Sequence, residues 1–317
     1  MYFTLNTLAV TFSISNIMVK GLQLELTNIC TLKCSGCPRT QFIDIFPQHW
    51  INYSLDIQEL LKFLDIDLKG VHMLLCGHTG DPIYHPDFHT VIEQLKKQGV
   101  ILSMRTNGSY KSAEWWEKTV ELLTEQDTIS FSVDGLPENF TTYRENGDWK
   151  TIEVGMKVVA KSNCKSTWNY IPFNFNENNI DQAKELCKQI GLDELVVYKS
   201  SRWDAYTSHL KPSDDNIGSN HFNQSWINDT LQQVQMNPEC SNGDTHFITA
   251  NGYYTPCCYT SDFRSYYQTP FGENKDSYDI RSTTITEVLH DPQTVNFMNN
   301  LEKIKVCQYT CGTPCVK

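Results

Sequence analysis

The sequence predicts an α/β chain, a partial (β/α)6 TIM barrel followed by a small cysteine-rich domain with a β-hairpin and a helix. Three observations predict it. From residue 21, short β-rich runs alternate with stretches of helical spacing; after about residue 203 that rhythm stops; and six of the twelve cysteines fall between Cys240 and Cys315. Strands alternating with helices imply crossover connections and a parallel sheet. An unbroken series of right-handed crossovers curls such a sheet, and six units fall short of the eight that close a barrel.

The strands are expected at 21–26, 71–77, 101–106, 128–133, 167–175 and 195–199. Between them apolar residues recur at three to four positions, as one buried helix face requires: Ile57, Leu60, Leu61 and Leu64; Phe88, Val91, Ile92 and Leu95; Trp116, Val120 and Leu123; Ile152, Met156 and Val159; Ile180, Ala183, Cys187 and Ile190. A polar stretch at 213–228 places a boundary within 203–230. The chain then divides into an extension (1–20), a barrel (21–225) and a C-terminal domain (226–317). In the last, two short strands flank Asn251-Gly252, a strong hairpin signal. A helix over 285–301 has Thr284 as N-cap with Glu287 three residues on. The first 17 residues fit either an added strand or an upstream extension, since Met18 serves equally well as a start.

Composition narrows the function. The net charge of −11 gives no basic footprint for nucleic acid or an anionic membrane. No run approaches the roughly 18 apolar residues of a membrane span, and the N-terminus lacks the basic region and cleavage site of a signal peptide. A cytoplasmic, reducing compartment is expected, where thiols act as metal ligands, catalytic groups or core fillers.

The strongest signal is Cys30-Thr-Leu-Lys-Cys34-Ser-Gly-Cys37, directly after the first strand. Three thiolates on one loop can hold three irons of a cubane and leave the fourth open. A zinc knuckle would need a fourth Cys or His, and none lies between Cys37 and His49. The second strand ends in Gly77-His-Thr-Gly80-Asp81-Pro82, the third in Arg105-Thr106-Asn107-Gly108, and the fourth in Phe131-Ser132-Val133-Asp134-Gly135, with Arg144 ten residues beyond Asp134.

This series at consecutive strand ends resembles the radical S-adenosylmethionine (SAM) superfamily. The resemblance implies a SAM-binding [4Fe–4S] cluster on Cys30, Cys34 and Cys37. It also implies a SAM site drawn from Gly36, Gly80, Asp81, Thr106, Ser132 and Arg144. Within it the turn at Gly80 would hold the amino group of SAM, Ser132 would contact SAM, and Arg144 would grip its carboxylate, for which a planar, permanently charged guanidinium is suited. The sequence departs from the family's Gly-Gly-Glu-Pro pattern in carrying Asp81 for Glu and in placing His78-Thr79 before the second glycine.

Cys240, the segment Gly252-Tyr-Tyr-Thr-Pro-Cys257-Cys258, and Cys307 and Cys311 resemble the SPASM/twitch extension of that superfamily, in its shorter form with one auxiliary [4Fe–4S] cluster. The resemblance assigns Cys240, Cys257, Cys307 and Cys311 as ligands. Cys315 competes for the last place, and zinc on the same thiols is the alternative. Cys258 is expected to be spare, Cys76 and Cys187 to sit in the core, and Cys164 has no assignment. His78 and His85 flank the SAM turn.

The chemistry implied by the resemblance is reductive cleavage of SAM to a 5′-deoxyadenosyl radical that abstracts hydrogen from a small-molecule or peptide substrate. A net, oxidoreductase-type oxidation assisted by the auxiliary cluster is expected, fed by an external one-electron reductant such as flavodoxin or ferredoxin. The alternative is a non-catalytic iron–sulfur or zinc protein acting in redox sensing or partner binding.

Overall fold

The computed structural model describes residues 19–200, 203–218, 234–236, 238–243 and 245–314. Residues 1–18, which carry most of the expected extension, and Cys315 lie outside the described residues.

The barrel portion runs β1 (Gly21–Leu24), α1 (Pro38–Ile45), α2 (Ile57–Phe63), β2 (His72–Leu75), α3 (Phe88–Lys97), β3 (Ile101–Thr106), α4 (Ala113–Glu121), β4 (Thr128–Ser132), α5 (Trp149–Val159), β5 (Lys165–Tyr170), α6 (Ile180–Ile190) and β6 (Glu194–Val197). The C-terminal portion holds β7 (Val234–Met236), β8 (Phe247–Ile248), β9 (Tyr254–Thr255), α7 (Pro270–Glu273), α8 (Ile285–His290), α9 (Pro292–Met298), α10 (Lys305–Cys311) and β10 (Gly312–Pro314).

β1 to β6 pair in sequence order, each parallel to the next, as right-handed crossovers produce. The helices cover the sheet with the apolar faces that their spacing required. Phe88, Val91, Ile92 and Leu95 of α3, Ile152, Met156 and Val159 of α5, and Ala183, Cys187 and Ile190 of α6 are all buried. Side chains alternate along a strand, so one face of each meets these helices and the other faces away. In β3, Leu102 and Met104 are buried while Ser103 and Arg105 are not; in β4, Ile129 and Phe131 are buried while Ser130 and Ser132 are half-exposed.

Three expectations need adjusting. Most strands stop short of their expected C-terminal limits, because the residues beyond, including Glu25, Cys76 and Gly77, leave the sheet to form loops. An unexpected helix, α1, follows the first cysteine loop, started by Pro38, whose missing N–H costs nothing at a first helical position. The single helix expected over 285–301 is two, because Pro292 cannot continue α8 and Asp291 caps α9 by accepting from Gln293 and Thr294 N–H.

The hairpin β8–β9 does not stand apart. β8 adds in parallel to β1, pairing Gln23 with Phe247 and Leu24 with Ile248, so the strand order is β6-β5-β4-β3-β2-β1-β8-β9. The C-terminal segment thereby covers an edge that β1 would otherwise leave unpaired. Among the described residues no helix is long and apolar enough to cross a membrane.

Candidate functional site

Loops at the C-terminal ends of β1 to β4 converge on one cavity. Its wall includes Cys30, Cys34 and Cys37 from the first loop, Gly77, His78 and Gly80 from the second, Thr106 and Asn107 from the third, and Ser132 and Arg144 from the fourth. Cys30 and Cys37 are half-buried and Cys34 is buried. Cys76, expected in the core, also lines this cavity, since it shares the facing of Leu74 just past the end of β2. Gly36 does not line it. A Cβ there would press on Tyr143 and Thr207 instead.

Burial pushes the Cys30 thiol up to about 12, with Asp81 adding to the effect. Burial likewise raises Cys34 to about 11, although Arg144 opposes it. Such thiols do not ionise alone; binding a metal cluster is what displaces their protons. Asn107 Nδ2 lies 3.6 Å from Cys30 Sγ and Arg144 Nη1 lies 3.9 Å from Cys34 Sγ, so donors already face two of the three sulfurs.

The turn at 77–82 is glycine-dependent for steric reasons. A Cβ on Gly80 would drive into the Thr27 carbonyl oxygen, and one on Gly77 would meet the Gly80 carbonyl oxygen at 2.5 Å. Asp81 is buried and its carboxylate is fully used: Oδ1 accepts from Thr106 Oγ1 at 2.8 Å, and Oδ2 from Asn107 N and Nδ2, each at 2.6 Å. Thr106 in turn accepts from Gly108 N. Asp81 and Thr106 therefore bind each other across two loops.

Arg144 is held by the buried Asp134, with Nε and Nη2 at 2.7 and 2.6 Å from Oδ2. Burial works against the guanidinium charge, but Asp134, with Cys34, outweighs it and raises the pKa overall. Arg144 stays charged, with Nη1 on the Cys34 side. Ser132 lines the cavity with a hydroxyl that makes no hydrogen bond within the described residues. His85 faces elsewhere, its Nε2 lying 3.0 Å from the Leu55 carbonyl.

The second cysteine group forms in the C-terminal portion. Burial lifts Cys240 to about 12, and Cys257 and Cys311 add to it; Cys307 is raised by burial and by Cys257, Cys240 and Cys311. All four sequence-assigned thiols thus lie within electrostatic reach of one another, brought together from three separate segments. Among the described residues no three His, Cys, Asp or Glu side chains stand close enough for a single metal ion.

A family model of the Radical SAM superfamily matches residues 24–190, just over half of the chain. The chain belongs to the radical SAM superfamily. Within it, residues 240–312 match SPASM, an iron–sulfur cluster-binding domain. A [4Fe–4S] cluster, SAM and auxiliary iron–sulfur chemistry are therefore the cofactors of this radical SAM enzyme, and the zinc alternative falls. The chain is 34% identical over 206 residues to the tungsten-containing aldehyde ferredoxin oxidoreductase cofactor-modifying protein of Pyrococcus furiosus, covering 56% of this chain and 51% of that one. It thus spans about half the length of that relative. It is 23% identical over 289 residues to a probable GTP 3′,8-cyclase of Methanocaldococcus jannaschii, covering 83% of this chain and 93% of that one. The fold is similar to that of SuiB from Streptococcus suis bound to S-adenosylmethionine, with a TM-score of 0.60, 15% identity, and coverage of 93% of this chain and 72% of that one.

Sequence reasoning missed Asn107, which belongs to the same Thr-Asn-Gly turn as Thr106 but carries the contacts to both Asp81 and Cys30. It also missed Glu25 and Asp262, whose partners lie 54 and 184 residues away.

Proposed function

We propose that Cys30, Cys34 and Cys37 hold the catalytic [4Fe–4S] cluster with one iron free of protein ligands, and that Gly80, Ser132 and Arg144 hold SAM over it. The observation that carries this reading is the convergence of these six residues, from three different strand ends, on one cavity wall. A cluster and SAM held by these residues would supply reductive cleavage of the sulfonium, with the electron coming from the external reductant, and so hydrogen abstraction from a substrate. Arg144, already fixed by Asp134, offers Nη1 to an anionic group, and Ser132 offers a hydroxyl on the cavity wall. Asp81 and Thr106 act by fixing the Gly80 turn against the β3 loop rather than by direct contact. The chain supports a cluster on Cys240, Cys257, Cys307 and Cys311 as electron acceptor for a net oxidation.

The substrate is a small molecule or peptide. The relatives modify a cofactor and a nucleotide by their names, and SuiB has been seen bound to a precursor peptide. An external one-electron reductant feeds the cavity cluster. Anaerobically reconstituted protein given SAM and dithionite is expected to release 5′-deoxyadenosine. Arg144→Gln and Ser132→Ala, with full iron content, should slow that release at least about tenfold, the scale of a lost hydrogen bond to a charged ligand. No deoxyadenosine from protein with intact clusters overturns the reading.

A further inference from the structure

The two residues that interrupt the glycine turn, His78 and Thr79, both reach out of it. Thr79 N and Oγ1 donate to Glu25 Oε1 at 2.6 and 2.8 Å. Glu25 is buried, and its other oxygen accepts from Ala250 N, at the hairpin turn of the C-terminal segment, at 3.3 Å. His78 Nε2 meets Asp262 Oδ2 at 2.9 Å. Asp262 lies five residues beyond Cys257 and is buried. Arg264 grips it, donating from Nε at 2.8 Å and Nη2 at 2.7 Å, while Arg264 N donates to Oδ1 at 2.9 Å.

Adjacent residues of one turn are thus tied to two separate parts of the C-terminal segment, one through Glu25 and one directly. The turn cannot stiffen itself. Gly77 and Gly80 bring no side chains of their own to restrain it, and glycine loses more conformational freedom on ordering than any other residue. Charge-assisted hydrogen bonds are the stronger kind, and both ties end on carboxylates.

We propose that Glu25 and Asp262 are positioning residues for SAM, through Thr79 and His78, so that the C-terminal iron–sulfur domain sets the shape of the turn at Gly80 and with it the affinity for SAM. This rests on the reading that the turn at Gly80 holds SAM. Affinity would then depend on whether the segment following Cys257 is in place, and the auxiliary domain would act on the first step of the reaction as well as on any later electron transfer.

The test is SAM binding by calorimetry to the anaerobic holoprotein with both clusters present, without substrate or reductant. His78→Ala and Glu25→Ala are expected to weaken SAM binding about tenfold or more, with unchanged iron content and cluster absorption. His78→Gln, whose amide nitrogen can reach the position of Nε2 and keep a donor for Asp262, should recover binding to within about threefold. The reduced cluster of His78→Ala should also show a smaller SAM-induced change in its electron paramagnetic resonance spectrum. His78→Ala that binds SAM within twofold of the unsubstituted protein overturns the inference and leaves the site reading intact. Absence of SAM binding by the unsubstituted holoprotein overturns the site reading itself.

Discussion

Cys30, Cys34 and Cys37 come from one short loop at the end of β1, whereas Cys240, Cys257, Cys307 and Cys311 are gathered from three segments joined by long connections. The first group is placed by the barrel: β1 is flanked by β2 and β8, and the Cys30 and Cys34 thiols are approached by Asn107 and Arg144, each anchored by a buried carboxylate. The second group sits among short elements, a two-residue-per-strand hairpin and a small β7–β10 pair. Closing long loops costs entropy that such elements repay poorly, so a cluster held by these thiols, as proposed, would contribute folding energy directly. On the proposed reading the first group serves the cleavage of SAM, and the second would hold the chain together as well as accept an electron.

Removing one proposed ligand from each group tests that difference most strongly. Cys34→Ala should abolish 5′-deoxyadenosine release while leaving hydrogen-exchange protection of the C-terminal strands unchanged. Cys257→Ala should lower protection at Phe247 and Tyr254 by about 3 kcal/mol or more, the scale expected when a structural metal site is lost. Equal loss of protection in the two variants would erase the distinction.

The same contrast explains what the sequence discloses. A ligand set on one loop is written as spacing, and so is a helix face such as Phe88, Val91, Ile92 and Leu95, because both depend on neighbours along the chain. Strand ends are harder, since leaving the sheet at Glu25 or Cys76 is decided by the loop's tertiary partners. The His78 tie to Asp262 spans 184 residues and carries no local pattern at all. Pro292, by contrast, is a local signal that a pure count of apolar residues overlooks, and it divides α8 from α9.

The buried titratable groups sharpen the comparison next. In the cavity, Asp81 and Asp134 are saturated with donors. In the C-terminal segment, His246 is buried, shares Nδ1 with Tyr254 Oη at 2.9 Å and, among the described residues, has no partner at Nε2. Burial pulls its pKa down to about 4, below the unfolded value of roughly 6.5. The unfolded chain therefore takes up the proton first, so the stability contribution is intact above about pH 6.5 and is lost as pH falls toward 4. Between pH 7 and pH 5 the segment should lose about 2 kcal/mol, read as hydrogen-exchange protection at Phe247, and His246→Gln should flatten that dependence. A slope unchanged by the substitution would assign the acid sensitivity to another group.

The smallest effect concerns how the C-terminal segment is pinned beside the barrel. Thr284 and Glu287 form a reciprocal cap on α8, with Glu287 N donating to Thr284 Oγ1 at 3.2 Å and Thr284 N to Glu287 Oε2 at 2.9 Å. The same helix start is tied to the loop after α2, where Asp65 Oδ1 accepts from Thr286 N and Oγ1. α8 has only six residues, too few to hold together alone, so its cap and its buried Ile285, Val288 and Leu289 must sustain it jointly. Thr284→Ala should cost about 1 kcal/mol, as a lost N-cap does. That loss should appear in exchange at α8 and be much smaller at the strands of the barrel, because a helix end opens locally at lower free energy than core strands even though Ile285, Val288 and Leu289 pack into the same core. A loss spread evenly over both regions would mean that the C-terminal segment and the barrel unfold as one unit, and that the two cysteine groups share one stability.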